Sequence, residues 1–191
     1  MRRQFLLAMV LAAPPAHAHD ITDPRVLVVV PAKDTIELRV NEMTPLAESA
    51  ELRMRFDGDR SGTLDDSEQS DLASFLAIRA TKHLSIEEGG VALVMTTSSR
   101  VLRNAGSRVD ASEPLSIDVV LQAKPAGANV AGEVTVVVKD QRPDDHVVRV
   151  AVLASGVTLR SASAGTLDAK RGLVTGVTLD RAHALTLRYG R

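Results

Sequence analysis

Cysteine is absent from the 191-residue chain. Disulfides therefore cannot hold it together, a lipid-anchored lipoprotein form is excluded, and stability has to come from the core. That core has few rings to work with. Aromatic residues make up 2% of the chain against 45% hydrophobic residues overall, so Val, Leu, Ile and Ala must fill it. The signatures of the common catalytic classes are missing as well. There is no Gly-x-Ser-x-Gly elbow, no His-Glu-x-x-His, no phosphate-binding glycine loop and no thiol nucleophile, and an enzyme is not expected.

Long hydrophobic runs are also lacking. The longest, Phe5 to Ala13, falls far short of the roughly 20 residues that span a bilayer, and nothing later in the chain could cross one. With Arg2 and Arg3 before it and Ala16-His17-Ala18 after it, the run reads as a secretory signal peptide over residues 1–18, cleaved after Ala18. The Arg2-Arg3-x-Phe5-Leu6 order resembles a twin-arginine signal but lacks the usual preceding polar residues, so the general secretory route and a periplasmic or secreted location are expected. The leader takes two of the 23 basic residues and none of the 24 acidic ones, leaving a net charge of −3 on 173 residues. Nothing in that balance points to nucleic acid or an anionic membrane as a partner.

One stretch carries chemistry that can be read residue by residue. In Asp57-Gly58-Asp59-Arg60-Ser61-Gly62-Thr63-Leu64-Asp65-Asp66-Ser67-Glu68, oxygen-bearing side chains fall at the first, third, fifth and ninth places, glycine at the sixth and glutamate at the twelfth. This is similar to the EF-hand calcium loop. A hard cation such as Ca²⁺ needs about seven oxygens at about 2.4 Å from a short loop that curls around it. The spacing implies Asp57, Asp59 and Ser61 as side-chain ligands, Thr63 through its carbonyl, Asp65 often through water, and Glu68 through both carboxylate oxygens. Gly62 permits the sharp turn, Arg60 should point outward, and Leu64 should turn back into the core. Asp65 and Glu68 also form a D-x-x-E capping box, so the end of the loop opens a helix.

The surrounding chain reads as follows. Val26 to Val30 and Thr35 to Val40 form a hairpin within residues 19–43. Residues 44–84 form a helix-loop-helix. Thr44 before Pro45 has the form of an N-cap, a first helix over about 45–56 should bury Leu46, Ala50 and Met54, and Phe56 precedes the loop. Arg53 stands where an EF-hand usually carries an apolar residue, which makes this helix the weaker half. The second helix, over about 66–83, is better written, with Leu72, Phe75, Leu76, Ala80 and Leu84 at three- and four-residue spacing.

From residue 85 to 191 the period changes to two. Gly89-Gly90 turns the chain into a strand at Val91 to Met95, and alternating strands follow at Leu115/Ile117/Val119/Leu121, Val134/Val136/Val138, Val148/Val150/Val152 and Leu185/Leu187/Tyr189, with shorter ones at 157–160 and 173–179. The fold class expected is α+β and mostly β: an antiparallel β-sandwich with an EF-hand-like helix-loop-helix inserted near its N-terminus. The hairpin either joins the sandwich or belongs with the helices in a small domain of its own; the first is preferred, because two strands and two helices make a marginal domain.

An exported chain with a hairpin, a Pro-initiated helix, one Asp loop, a long helix and then sandwich strands resembles the extracytoplasmic domains found with certain bacterial nickel/cobalt transport proteins. The resemblance implies a metal-homeostasis setting and a membrane metal transporter or other envelope protein as partner. Two functions are therefore weighed. In the first, the loop binds Ca²⁺ and staples the fold of a binding or interaction module, because no second Asp loop exists to pair with it as sensors require. In the second, the protein is a periplasmic accessory to nickel, cobalt or copper transport. Its metal would be held by the imidazole and α-amino group of His19, with His146 or His183 as a further ligand. His83, His146 and His183 otherwise read as surface residues.

Overall fold

The computed structural model describes residues 25–105, 108–125, 133–142 and 148–190. The leader, His19 and His146 lie outside these residues. The chain begins with strand β1 (Arg25–Pro31), turns through Ala32–Thr35 on a backbone hydrogen bond of 2.9 Å, and returns as β2 (Ile36–Met43). Leu27 and Val29 on β1 and Ile36, Leu38 and Val40 on β2 are buried at two-residue spacing, as half-buried strands require. Helix α1 (Leu46–Phe56), the loop and helix α2 (Asp66–Thr81) follow.

The remaining strands are β3 (Leu84–Glu88), β4 (Val91–Ala92), β5 (Met95–Arg103), β6 (Ser116–Ala123), β7 (Glu133–Asp140), β8 (Val148–Leu153), β9 (Thr158–Ala162), β10 (Thr166–Asp168), β11 (Leu173–Leu179) and β12 (Leu185–Gly190). They form two sheets, ordered β10-β11-β8-β1-β2-β6-β5 and β4-β3-β7-β12-β9, over a shared apolar core. The architecture is α+β, mostly β and sandwich-like. The alternating sets Ile117/Val119/Leu121, Val134/Val136/Val138, Val148/Val150/Val152 and Leu185/Leu187/Tyr189 all turn inward. Both hairpin strands lie in the interior of the first sheet, with β8 beside β1 and β6 beside β2.

The sheet pairing differs from the expected antiparallel pattern in one place. β1 and β8 run parallel, with Leu27 opposite Val150. β8 arrives from β7 in the other sheet, so no hairpin turn dictates its direction. The expected strand at Val91 to Met95 also divides: β4 ends at Ala92 and β5 starts at Met95 and runs nine residues along the sheet edge. An edge strand exposed along most of its length needs no strict apolar alternation, and Met-Thr-Thr-Ser-Ser-Arg-Val-Leu-Arg has little, with Met95 and Leu102 half-buried against the core.

Helix α1 departs most from expectation. Pro45, not Thr44, occupies the N-cap position, and no side chain caps the helix. The Thr44 hydroxyl instead accepts a hydrogen bond from Arg79 of α2 at 2.7 Å. The inward face is rotated too. Leu46 is 49% exposed and Met54 61%, Ala50 is half-buried, and Ser49, Leu52 and Arg53 are buried instead. Apolar matching gives way here to backbone acceptors that only polar side chains can satisfy. Helix α2 buries Leu72, Ala73, Leu76, Ala77 and Ala80, with Phe75 half-buried; it ends at Thr81, and Leu84, expected on its face, opens β3 instead. Its last turn is tied down by Arg79, which pairs with Glu42 on β2 at 3.3 Å and with Glu48 on α1. Beneath it, buried Arg25 binds Asp140 of β7 at 2.8 Å and the Ala80 carbonyl, linking α2 to both sheets. Among the described residues no helix is long and apolar enough to cross a membrane, which leaves membrane-spanning strands unaddressed.

Candidate metal centre

The loop between the helices is shaped by its own carboxylates. The Asp57 backbone N–H still belongs to α1, donating to the Arg53 carbonyl at 3.0 Å. Its side chain turns into the loop, where one oxygen accepts from the Ser61 N–H at 2.9 Å and the other from the Gly62 N–H at 3.0 Å. Asp59 accepts from the same Ser61 N–H at 2.9 Å. That bond, followed by the Ser61 side chain, holds the Asp59 carboxyl below the usual aspartate range. Gly62 sits at φ 81°, a left-handed conformation that glycine adopts without strain. Arg60 is also left-handed at φ 58° and is exposed, as expected.

The far side of the loop is closed by Glu68. Its Oε1 accepts from Gly58 N–H at 2.7 Å and its Oε2 from Asp65 N–H at 3.0 Å, while Asp65 accepts from the Glu68 N–H at 2.8 Å. The last two bonds are the reciprocal capping box, which satisfies orphan donors at the start of α2. Leu64, 2% exposed, turns into the core. Phe56, at the end of α1, meets Phe75 of α2 with ring centroids 5.6 Å apart.

This folding brings three charges together. Carboxylate oxygens of Asp57, Asp59 and Glu68 lie within 4.8 Å of one another, the only group of three or more His, Cys, Asp or Glu side chains among the described residues that could hold a metal ion. Of the other residues expected to contribute, Ser61 is joined to the cluster through its N–H. Its hydroxyl turns to the Thr63 carbonyl and hydroxyl at 2.9 and 3.0 Å. Asp65 is engaged in capping. His183 stands apart, hydrogen-bonded to Asp180 at 2.8 Å. Three like charges at this separation repel, and a cation among them removes the repulsion. An all-oxygen donor set suits a hard divalent ion over one that prefers nitrogen or sulfur.

Sequence reasoning missed what borders the loop. Thr63 forms an isolated antiparallel bridge with Arg108, and the Val109 N–H donates to the Gly62 carbonyl at 3.2 Å. The bridge falls one residue before Leu64, and its partner is the connection from β5 to β6, not a second Asp loop. That connection is fastened by Arg53. The Arg53 guanidinium donates to the carbonyls of Asn104 at 2.6 Å, Ala105 at 3.0 Å, Ala111 at 3.1 Å and Glu113 at 2.9 Å. Burial lowers the Arg53 pKa, against the opposing pull of the Glu113 charge. The one signal available in the sequence was the arginine itself, out of place among apolar positions. No family model matches the chain, and no curated protein matches it.

Proposed function

We propose that this protein is an exported calcium-binding protein, with Asp57–Glu68 as an EF-hand loop whose ion staples the helical insertion to the β-sandwich. The observation that carries the reading is the convergence of Asp57, Asp59 and Glu68 within 4.8 Å, because these residues stand at the first, third and twelfth places of the spacing that an EF-hand uses. Ser61, the Thr63 carbonyl and Asp65 would complete the oxygen set. Export rests on the leader-like residues 1–18. A structural role is favoured over a sensing one by the surroundings of the loop. It is paired with a sheet connection, and α2 is fixed to both sheets through Arg25 and Arg79; among the described residues no second acidic loop stands against which helices could open.

Calorimetric titration of the full chain tests this. Calcium should bind at one site and binding should vanish in Asp57→Ala, Asp59→Ala and Glu68→Ala; retention of wild-type affinity in these variants would refute it. If the dissociation constant is about 10⁻⁴ M, as in extracellular modules, calcium at 100 times that value adds about 2.7 kcal/mol of stability. Chelation should therefore lower the melting temperature, and calcium should not raise the binding of a hydrophobic dye, as it would in a sensor that opens an apolar groove.

A further inference from the structure

We propose that the β5–β6 connection is the second half of this metal site and that Arg53 is the residue that positions it. The inference rests on the calcium reading and extends it from the twelve-residue loop to a segment some fifty residues away in the chain.

The geometry of the connection carries the argument. Its two limbs meet at the Arg53 guanidinium, which binds the carbonyls of Asn104 and Ala105 on the outgoing limb and of Ala111 and Glu113 on the returning limb. Other bonds close the base. The Asn104 side chain donates to the Pro114 carbonyl at 3.3 Å, Leu115 N–H donates to the Ser49 hydroxyl at 2.9 Å, and Thr44 N–H donates to the Leu115 carbonyl at 2.8 Å. With its neck held by α1, the connection delivers Arg108 and Val109 to the loop, where Val109 N–H takes the Gly62 carbonyl and Arg108 bridges Thr63. Thr63 supplies the one backbone carbonyl of the proposed oxygen set. Bracing Gly62 and Thr63 thus fixes the direction of a ligand that no side-chain rotamer controls.

Arginine suits the neck for a reason that lysine does not share. A planar fork of five donors can satisfy four carbonyls at fixed angles, whereas an ammonium has three donors on a flexible stem. Arg53 also lies one helical turn before Asp57, whose N–H its carbonyl accepts. One residue therefore holds the first ligand through its backbone and the brace of the seventh-place ligand through its side chain. Since coupling between two sites is reciprocal, calcium should tighten the connection by the same factor that the connection tightens calcium.

The test uses the full chain and calcium itself. Val109→Pro removes the donor to Gly62, and Arg53→Lys loosens the neck; each should weaken calcium binding about tenfold, in the range seen when groups supporting metal ligands are removed. In the wild type, calcium should slow hydrogen exchange at the Val109 amide. A merely structural Arg53 would lower the melting temperature equally with calcium and with chelator; a positioning Arg53 shrinks the calcium-induced rise. Calcium affinity within about twofold of wild type in both variants, with no calcium-dependent protection at Val109, overturns this inference alone. Undiminished affinity in Asp57→Ala overturns the calcium reading, and this inference with it.

Discussion

Helix α2 buries Leu72, Ala73, Leu76, Ala77 and Ala80, whereas helix α1, on the other side of the same loop, buries Ser49, Leu52 and Arg53 and leaves Leu46 and Met54 in solvent. One helix is held mainly by apolar area and the other mainly by hydrogen bonds to the chain between β5 and β6. The difference follows from what each helix faces. α2 lies against the apolar sheet core, which rewards any side chain that excludes water. α1 faces a connection whose carbonyls have no strand to pair with, and such groups need donors when buried. Helix α1 therefore stakes its position on a few directional contacts, and its partner segment stakes its shape on α1.

The comparison breaks most visibly at α2. Leu76→Ala removes a fully buried side chain and should cost about 3 kcal/mol, within the usual range for core leucines. The loss, read by chemical denaturation, should be alike in calcium and in chelator, because Leu76 packs in the core and takes no part in the loop. At α1 the corresponding change is Arg53→Met, which keeps the aliphatic stem and deletes all four hydrogen bonds to the connection. It should cost roughly 2 kcal/mol, because the abandoned carbonyls on the connection can recover part of their hydration from nearby solvent. Here the loss should be larger in calcium than in chelator. Equal losses would mean that the polar helix is no more coupled to the loop than the apolar one.

The point where loop and α2 meet gives a smaller effect. Asp65 caps α2 by accepting the Glu68 N–H at 2.8 Å. Asp65→Ala should cost about 1 kcal/mol in the metal-free protein, the usual worth of an N-cap. Asp65→Asn should recover most of that, since asparagine caps as well as aspartate. α1 has no such residue to lose: Thr44→Val should show the loss of the Arg79 contact and no capping penalty.

How much of this was legible in the sequence depends on the range of the forces involved. The converging carboxylates, the turn at Gly62, the inward Leu64 and the capping box are decided within twelve consecutive residues, so their spacing could be read directly. The alternating apolar residues of β6, β7, β8 and β12 were legible for a similar reason, since a two-residue period with one buried face leaves little choice. Strand β5 was not, because an edge exposed along most of its length imposes no strict pattern. Nor was the parallel pairing of β1 with β8, which depends on a crossing between sheets. The role of Arg53 was least legible of all. Its partners are backbone carbonyls at positions 104–113, and a carbonyl leaves no trace in residue identity. An arginine among apolar positions showed that something polar waited there, without saying what.

The face of α1 gives the smallest effect and the sharpest contrast with sequence reasoning. Spacing alone assigns Leu46, Ala50 and Met54 to the core, and on that basis Met54→Gln would create a buried polar group at a cost of several kcal/mol. With Met54 61% exposed and Leu46 49% exposed, the same change should alter stability by no more than about 0.5 kcal/mol, as at ordinary surface positions. Leu46→Gln should behave alike, and the pair should add, because both side chains are largely exposed and lie two helical turns apart. Chemical denaturation of the two single variants and the double decides between the faces. A loss above about 2 kcal/mol at Met54 would return α1 to the apolar register. Arg53 would then have to leave the carbonyls of the β5–β6 connection, because one helix cannot present both faces to the same neighbour.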